Sequence, residues 1–166
     1  MLHLQAESCF FRQTDALSGG KRIKPPLKRQ ETMTPQEFFK NDHFAGKVGI
    51  ELTEVREGYS KAQLTITEIH LNAGRRTQGG VLFTLADLAL AAAANSHGTL
   101  ALSLSSHITF LRSSGAGDTL TAEARECYIG RSTGYYQVTI TNQHGDIVAS
   151  FESTAFRKNY PLPFHL

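Results

Sequence analysis

The run "QGGVLFTLADLALAAAANS", residues 78–96, holds one charged residue, Asp87, among Val, Leu, Phe and Ala. An ionised carboxylate is costly to bury without partners. From the pattern alone, two roles fit it. Asp87 is either a partly exposed or Arg-paired acid on an otherwise buried helix, or a carboxylate kept for chemistry. In a poorly solvated cleft a carboxylate can take a proton from water or attack a carbonyl itself. Gly79 and Gly80 stand where the same helix would begin. There the backbone N–H groups are free and the helix dipole is positive, so they can polarise a carbonyl and hold a developing oxyanion. Ordinary turn chemistry also explains the pair. Taken with Asp87 about two turns on, the arrangement predicts an electrophile-activating donor and a base within one pocket.

A helix over about 80–95 must position these groups. Its Ala and Leu content favours helix, the glycines permit a tight turn before it, and Gly98 in "NSHG" terminates it. At about 100° per residue, Leu82, Leu85, Ala89 and Ala92 fall opposite Asp87 and predict the sheet-facing side. Gly80, Thr84, Ala91 and Ala94 share the Asp87 side. They are small, so a second surface or a slender ligand can approach. A helix covered on both sides implies a homo-oligomer.

The flanking residues predict the sheet. In "TPQEFF", Thr34 can cap a helix, Pro35 fits its first turn and Glu37 supplies early negative charge, which predicts a short helix over 35–42. "VGIELTEVREGYSKAQLTIT" predicts two strands joined at Glu57-Gly58, with Ala62, Leu64 and Ile66 on one face. Four more strands follow over 100–112, 118–129, 134–142 and 146–157. In the first, Leu102, Leu104, Ile108 and Phe110 alternate. Short turns such as "SSGAGDT" and "NQHGD" imply antiparallel pairing. The fold class is therefore α+β, a six-stranded antiparallel sheet with one long apolar helix.

A length of 166 residues suits one domain. It is expected over 33–158, between a flexible basic arm over 1–32 and a tail over 159–166. Lys and Arg total 17 against 15 Asp and Glu, a net charge of +2, which argues against nucleic-acid binding. The basic residues cluster in "KRIKPPLKR", read as a solvated arm. Cys9 and Cys127 read as free thiols in a reducing compartment. "MLHLQAESCFF" lacks the basic start and long apolar core of a secretory signal. The most apolar run, over 81–94, is shorter than the ~20 residues a membrane span needs. A cytoplasmic protein with no membrane contact is the expectation. His70, His97, His107 and His144 lack metal-ligand spacing, and no Gly-x-Ser-x-Gly elbow occurs. No metal site is predicted.

The stretches "LNAGRRTQGGVLFTLADLALAAAANS" and "ITFLRSSGAGDTLTAEARECYIGRSTGYYQVTITNQHGDIVASF" resemble the hotdog-fold thioesterases of the phenylacetate-degradation type. Asn, Gly-Gly, helix and Asp recur at that family's spacing, and the likeness covers about residues 35–157. It implies a sheet wrapped around the helix, protomers pairing into one continuous sheet, often a dimer of dimers, and active sites at the protomer interface. It implies hydrolysis of an acyl- or aryl-acyl-CoA thioester, with coenzyme A as part of the substrate and no other cofactor.

Residue by residue, the resemblance assigns Asp87 as general base or nucleophile and the Gly79 N–H as the group polarising the carbonyl. Asn72 would help bind the thioester oxygen and Ser103 would orient the attacking water. Gly80 lies with them on the substrate side. Arg112, Arg131 and Thr133, at strand ends, are candidates for holding coenzyme A, whose phosphates suit basic residues. Arg75 and Arg76 come after them. The family commonly has His before the Gly-Gly pair, where this chain has Gln78. Gln78 stays among the catalytic candidates: Gln can donate a hydrogen bond and so substitute for a His that positions the thioester, but it cannot carry a proton near neutral pH, so activity should fall if leaving-group release needs one. A non-catalytic acyl-CoA-binding hotdog protein with a regulatory role is the alternative.

Overall fold

The computed structural model describes residues 33–164 and Leu166. The basic arm expected over 1–32 lies outside the described residues. Helix α1 (Pro35–Phe39) opens with the expected cap: the Thr34 hydroxyl accepts the Glu37 N–H at 3.2 Å, and the Glu37 carboxylate accepts the Thr34 N–H at 2.7 Å. The helix stops earlier than the predicted 42. Asp42 starts a second helix, α2 (His43–Val48), by accepting the Ala45 N–H at 3.0 Å. Gly49, left-handed at φ 85°, ends it.

The predicted strands are present as β1 (Glu51–Arg56), β2 (Tyr59–Thr65), β3 (Thr99–Phe110), β4 (Thr119–Ile129), β5 (Thr133–Thr141) and β6 (Ile147–Pro161). All pair antiparallel, in the order β1-β2-β4-β5-β6-β3. The longest helix, α3 (Gly79–Asn95), lies against the inner face of this curled sheet. Leu82, Leu85 and Ala89 are buried against Ala62, Leu120, Ala122, Val138, Ile140 and Phe151. The alanines on β2 and β4 leave room for the helix backbone to approach. Truncating Leu85 to Ala would cost about 2–5 kcal/mol. Polar ties fix the helix along its axis: the Ser60 hydroxyl donates to the Ala89 carbonyl at 2.5 Å, and Ser96 Oγ accepts the Gly58 N–H at 2.8 Å.

Three expectations need correction. Ala94, assigned to the Asp87 side, is buried in the core. Leu102 and Leu104 are exposed, at 47% and 61%. An irregularity in the β3–β6 register between Ser103 and Ser105 adds a residue to β3 and shifts the phase, so Leu102 no longer shares a face with Ile108. Finally, the chain after 158 does not leave the domain. β6 runs on to Pro161, Leu162 and Phe164 are buried, and the Phe164 ring meets Phe38 edge-on at 5.3 Å.

Candidate active site

Gln78 is the N-cap of α3. Its side-chain oxygen accepts the N–H groups of Gly80 at 2.5 Å and Val81 at 3.2 Å. A cap needs an acceptor, and the Gln amide supplies one without any charge. This was not foreseen for Gln78. The two glycines also act differently from the expected tight turn, since neither has a positive φ. They provide space. A Cβ on Gly80 would meet Gln78 Oε1 at 2.7 Å, and one on Gly79 would meet the Phe110 ring at 3.0 Å. With Gly80 and Val81 capped, the Gly79 N–H has no partner among the described residues.

The loop before α3 is folded on Asn72. Its side-chain oxygen accepts the N–H groups of Gly74 at 2.9 Å and Arg76 at 3.2 Å, around Arg75 at φ 59°. The Asn72 amide NH2 is the group left to donate outward. The loop is anchored where the Ser114 hydroxyl donates to Thr77 Oγ1 at 2.7 Å and Gln78 N–H donates to the His70 carbonyl at 2.8 Å. A cleft of about 400 Å³ results, and Asn72, Gly79, Phe110 and Arg112 line it. Arg112 reaches Asp146 at 3.5 Å on the surface. Three of the predicted site residues thus share one cleft.

Asp87 sits half-buried on α3. Burial pushes its carboxyl above the ordinary aspartate range; the Ser103 hydroxyl, donating to Oδ1 at 3.4 Å, pulls it partly back, and the nearby charge of Asp42 raises it further. The result is a more basic carboxylate with a hydroxyl beside it. Asn95 sets this contact, a role that sequence reading missed. Its side chain accepts the Ala101 N–H at 2.8 Å and donates to the Ala101 carbonyl at 3.1 Å, which pins the start of β3 two residues before Ser103. The only sequence signal was an amide at the end of an apolar run.

One protomer does not bring all the predicted groups together. Gly79 and Asp87 are eight residues apart, about 12 Å along the axis. The first N–H groups of a helix face out beyond its N-terminus, so a carbonyl held by Gly79 lies still further from Asp87. The single pocket expected from the sequence is not formed within one chain. Arg131 lies in the β4–β5 turn and Thr133 opens β5, beside the C-terminal end of α3. There Arg157 donates to the Gly130 carbonyl at 3.1 Å and contacts Thr99 at 3.5 Å. They are remote from Arg112. Arg75 is paired with Glu68 at 3.0 Å, and the His70 ring is used in bonds to Val48 and Thr67.

The sequence pattern of the thioesterase superfamily matches residues 78–149. The acyl-coenzyme A thioesterase PaaI of Escherichia coli is 40% identical over 120 residues, which cover 72% of this chain and 86% of that protein. The chain belongs to the thioesterase superfamily. Within it, this thioesterase has the hotdog fold of the PaaI type and is a thioester hydrolase. The solved E. coli PaaI protein, from the phenylacetic acid degradation operon, gives a TM-score of 0.73 at 38% identity, covering 75% of this chain and 91% of PaaI. A putative esterase of Archaeoglobus fulgidus is 37% identical over 126 residues, 76% of this chain and 82% of the relative. A hypothetical thioesterase protein of Streptococcus pneumoniae solved with coenzyme A gives a TM-score of 0.70 at 29% identity, covering 74% of this chain and 98% of that one. No helix among the described residues is long and apolar enough to cross a membrane.

Proposed function

We propose that this thioesterase hydrolyses acyl-coenzyme A thioesters, with Asp87 as general base. The observation that carries the reading is the half-buried Asp87 carboxyl, raised by burial and accompanied by Ser103 at 3.4 Å. The coenzyme A bound to the streptococcal relative and the acyl-coenzyme A thioesterase activity in the name of PaaI support the substrate class. The thioester oxygen accepts from the Gly79 N–H and the Asn72 amide, donors that strengthen as charge develops on it. Asp87 takes a proton from water as the water oxygen attacks the carbonyl carbon, and Ser103 holds that water. The tetrahedral intermediate then collapses, the C–S bond breaks, coenzyme A leaves as thiolate, and Asp87 releases the proton it took to the thiolate or to solvent. Gln78 shapes the helix start through its cap and carries no proton in these steps.

The site is built across two protomers. The separation of Gly79 from Asp87 supports this, because a second copy can bring its acid to the first copy's helix N-terminus. So does β3, an edge strand with Leu104 and Phe110 exposed at 61% and 53%, open to sheet continuation. Arg112 at the Gly79 cleft and Arg131 with Thr133 at the far end of α3 would then flank one coenzyme A from two chains. The streptococcal protein has been solved as alanine variants of an aspartate and of a threonine sixteen positions later. Asp87 and Ser103 have the same separation. The test is thiol release from an acyl-CoA series by the wild type and by Asp87→Asn. Binding of the thioesters without release by the wild type, or equal release by the variant, would reject the reading.

A further inference from the structure

Arg157, on β6, joins two segments that the proposed reaction uses. Its Nη1 donates to the Gly130 carbonyl at 3.1 Å and its backbone N–H to the Ser132 carbonyl at 2.9 Å, so the turn between β4 and β5 is fastened to it twice. Its Nη2 reaches the Thr99 hydroxyl at 3.5 Å, and its backbone pairs with Ala101 near the start of β3. We propose that Arg157 is a positioning residue. It holds the turn beside Arg131 and Thr133 and the piece of β3 bearing Ser103 in one fixed relation, so that coenzyme A seated at the turn meets Ser103 in place. The proposal rests on the thioesterase reading above.

Three observations carry it. The first is the register. Gly134, Ala155 and Ser103 lie in one row across β5, β6 and β3, and Thr133, Phe156 and Leu102 lie in the next. The start of β5 and Ser103 are thus two strand spacings apart, about 10 Å, with β6 between them. The second is the ladder under Ser103. Ala101, Leu102 and Ser103 pair with Arg157, Phe156 and Ala155 between two irregularities, one on each side. Arg157 ends that short ladder, so its placement sets where Ser103 lies. Asn95 fixes the same Ala101 from the helix side. The third is the choice of side chain. Arg157 is partly buried, forms no ion pair among the described residues, and its buried Nε has no hydrogen-bond partner there. An unpaired buried donor is unfavourable, and an aliphatic side chain would carry no such cost. What the guanidinium adds is a planar fork with donors for two segments at once.

The probes are the acetyl, butyryl and benzoyl thioesters of coenzyme A and of pantetheine, which lacks the nucleotide. Arg157→Met should lower the ratio of kcat/KM for the coenzyme A thioester to that for its pantetheine counterpart by about tenfold, the scale of one lost hydrogen bond from a charged group. It should also move the acid limb of kcat/KM upward with the pantetheine thioester, because a displaced Ser103 no longer lowers the Asp87 carboxyl. Arg157→Lys keeps the charge without the fork, so it should give the same two changes, and it carries the test alone if Arg157→Met fails to fold. Wild-type ratio and limb in a folded variant, whatever its Tm, would make Arg157 a scaffold residue only and overturn the proposal. Movement of one readout without the other would break the link between the turn and β3 and overturn it too, as would full recovery of both in Arg157→Lys. In each of these cases the thioesterase reading stands. If the wild type releases thiol from none of the thioesters, both fall.

Discussion

Gly79 and Asp87 share one helix, yet their backbone positions lie about 12 Å apart along its axis, and the cleft lined by Gly79 does not include Asp87. In the proposed reaction, a thioester carbonyl held at Gly79 takes its base from another chain.

That relationship predicts complementation. Gly79→Pro removes the N–H at the first helical position, where the φ of proline fits and the Phe110 ring has to shift from the added Cβ, and Asp87→Asn removes the base. Each variant alone should be inactive. Mixed dimers would contain one intact site of two, so random co-assembly should restore about a quarter of wild-type turnover. Turnover that stays at the level of the separate variants, with mixed dimers shown to form, would place the whole site within one protomer.

Asp87→Asn should reduce kcat by about 10²–10⁴, the usual contribution of a general base, while stabilising the fold at neutral pH. Because burial raises the folded-state carboxyl, the protonated form favours folding and the ionised form opposes it. This favourable term is complete below the unfolded value of about 3.9 and is lost as pH rises through the higher folded value. The difference in Tm between Asp87→Asn and wild type should thus grow from pH 4 to pH 7. A constant difference in thermal denaturation would contradict the burial argument.

The same shift sets the rate profile. The acid limb of kcat/KM should lie above the ordinary aspartate value of about 3.9. Ser103→Ala removes the hydrogen bond that lowers the Asp87 carboxyl, so it should move that limb further up as well as lowering the rate. A limb that moves down, or stays in place, would separate Ser103 from Asp87 in function.

Gln78→Ala should cost about 1 kcal/mol of stability through loss of the α3 cap, measured by urea denaturation. Gly80→Ala should show a similar loss, since its methyl would displace Gln78 Oε1 from 2.7 Å. Gln78→His tests the departure from the usual family residue. Because the cap carries no proton in the proposed steps, its pH profile should match that of the wild type. A new limb near pH 6–7, in the range where His titrates, would show that a protonated group at this position takes part.

Much of this protein was legible in its residues. Alternation at Ala62, Leu64 and Ile66 defined a strand because side chains on a pleated backbone alternate faces. Thr34 and Glu37 marked a helix start because a cap is a local hydrogen-bond problem. Asp87 stood out because a lone charge in an apolar helix is costly. What depended on distant contacts was not legible. An added residue in β3 turned Leu102 outward, and no local pattern distinguishes that shift from simple alternation. Gln78 became a cap and Asn72 a loop anchor only once the backbone had placed N–H groups within reach of their oxygens. The separation of Gly79 from Asp87 was implicit in the spacing. That Asp87 stays outside the cleft lined by Gly79 was decided by tertiary packing around α3. Local sequence determines which backbone conformation is cheap. Only tertiary packing decides which faces are left open for chemistry.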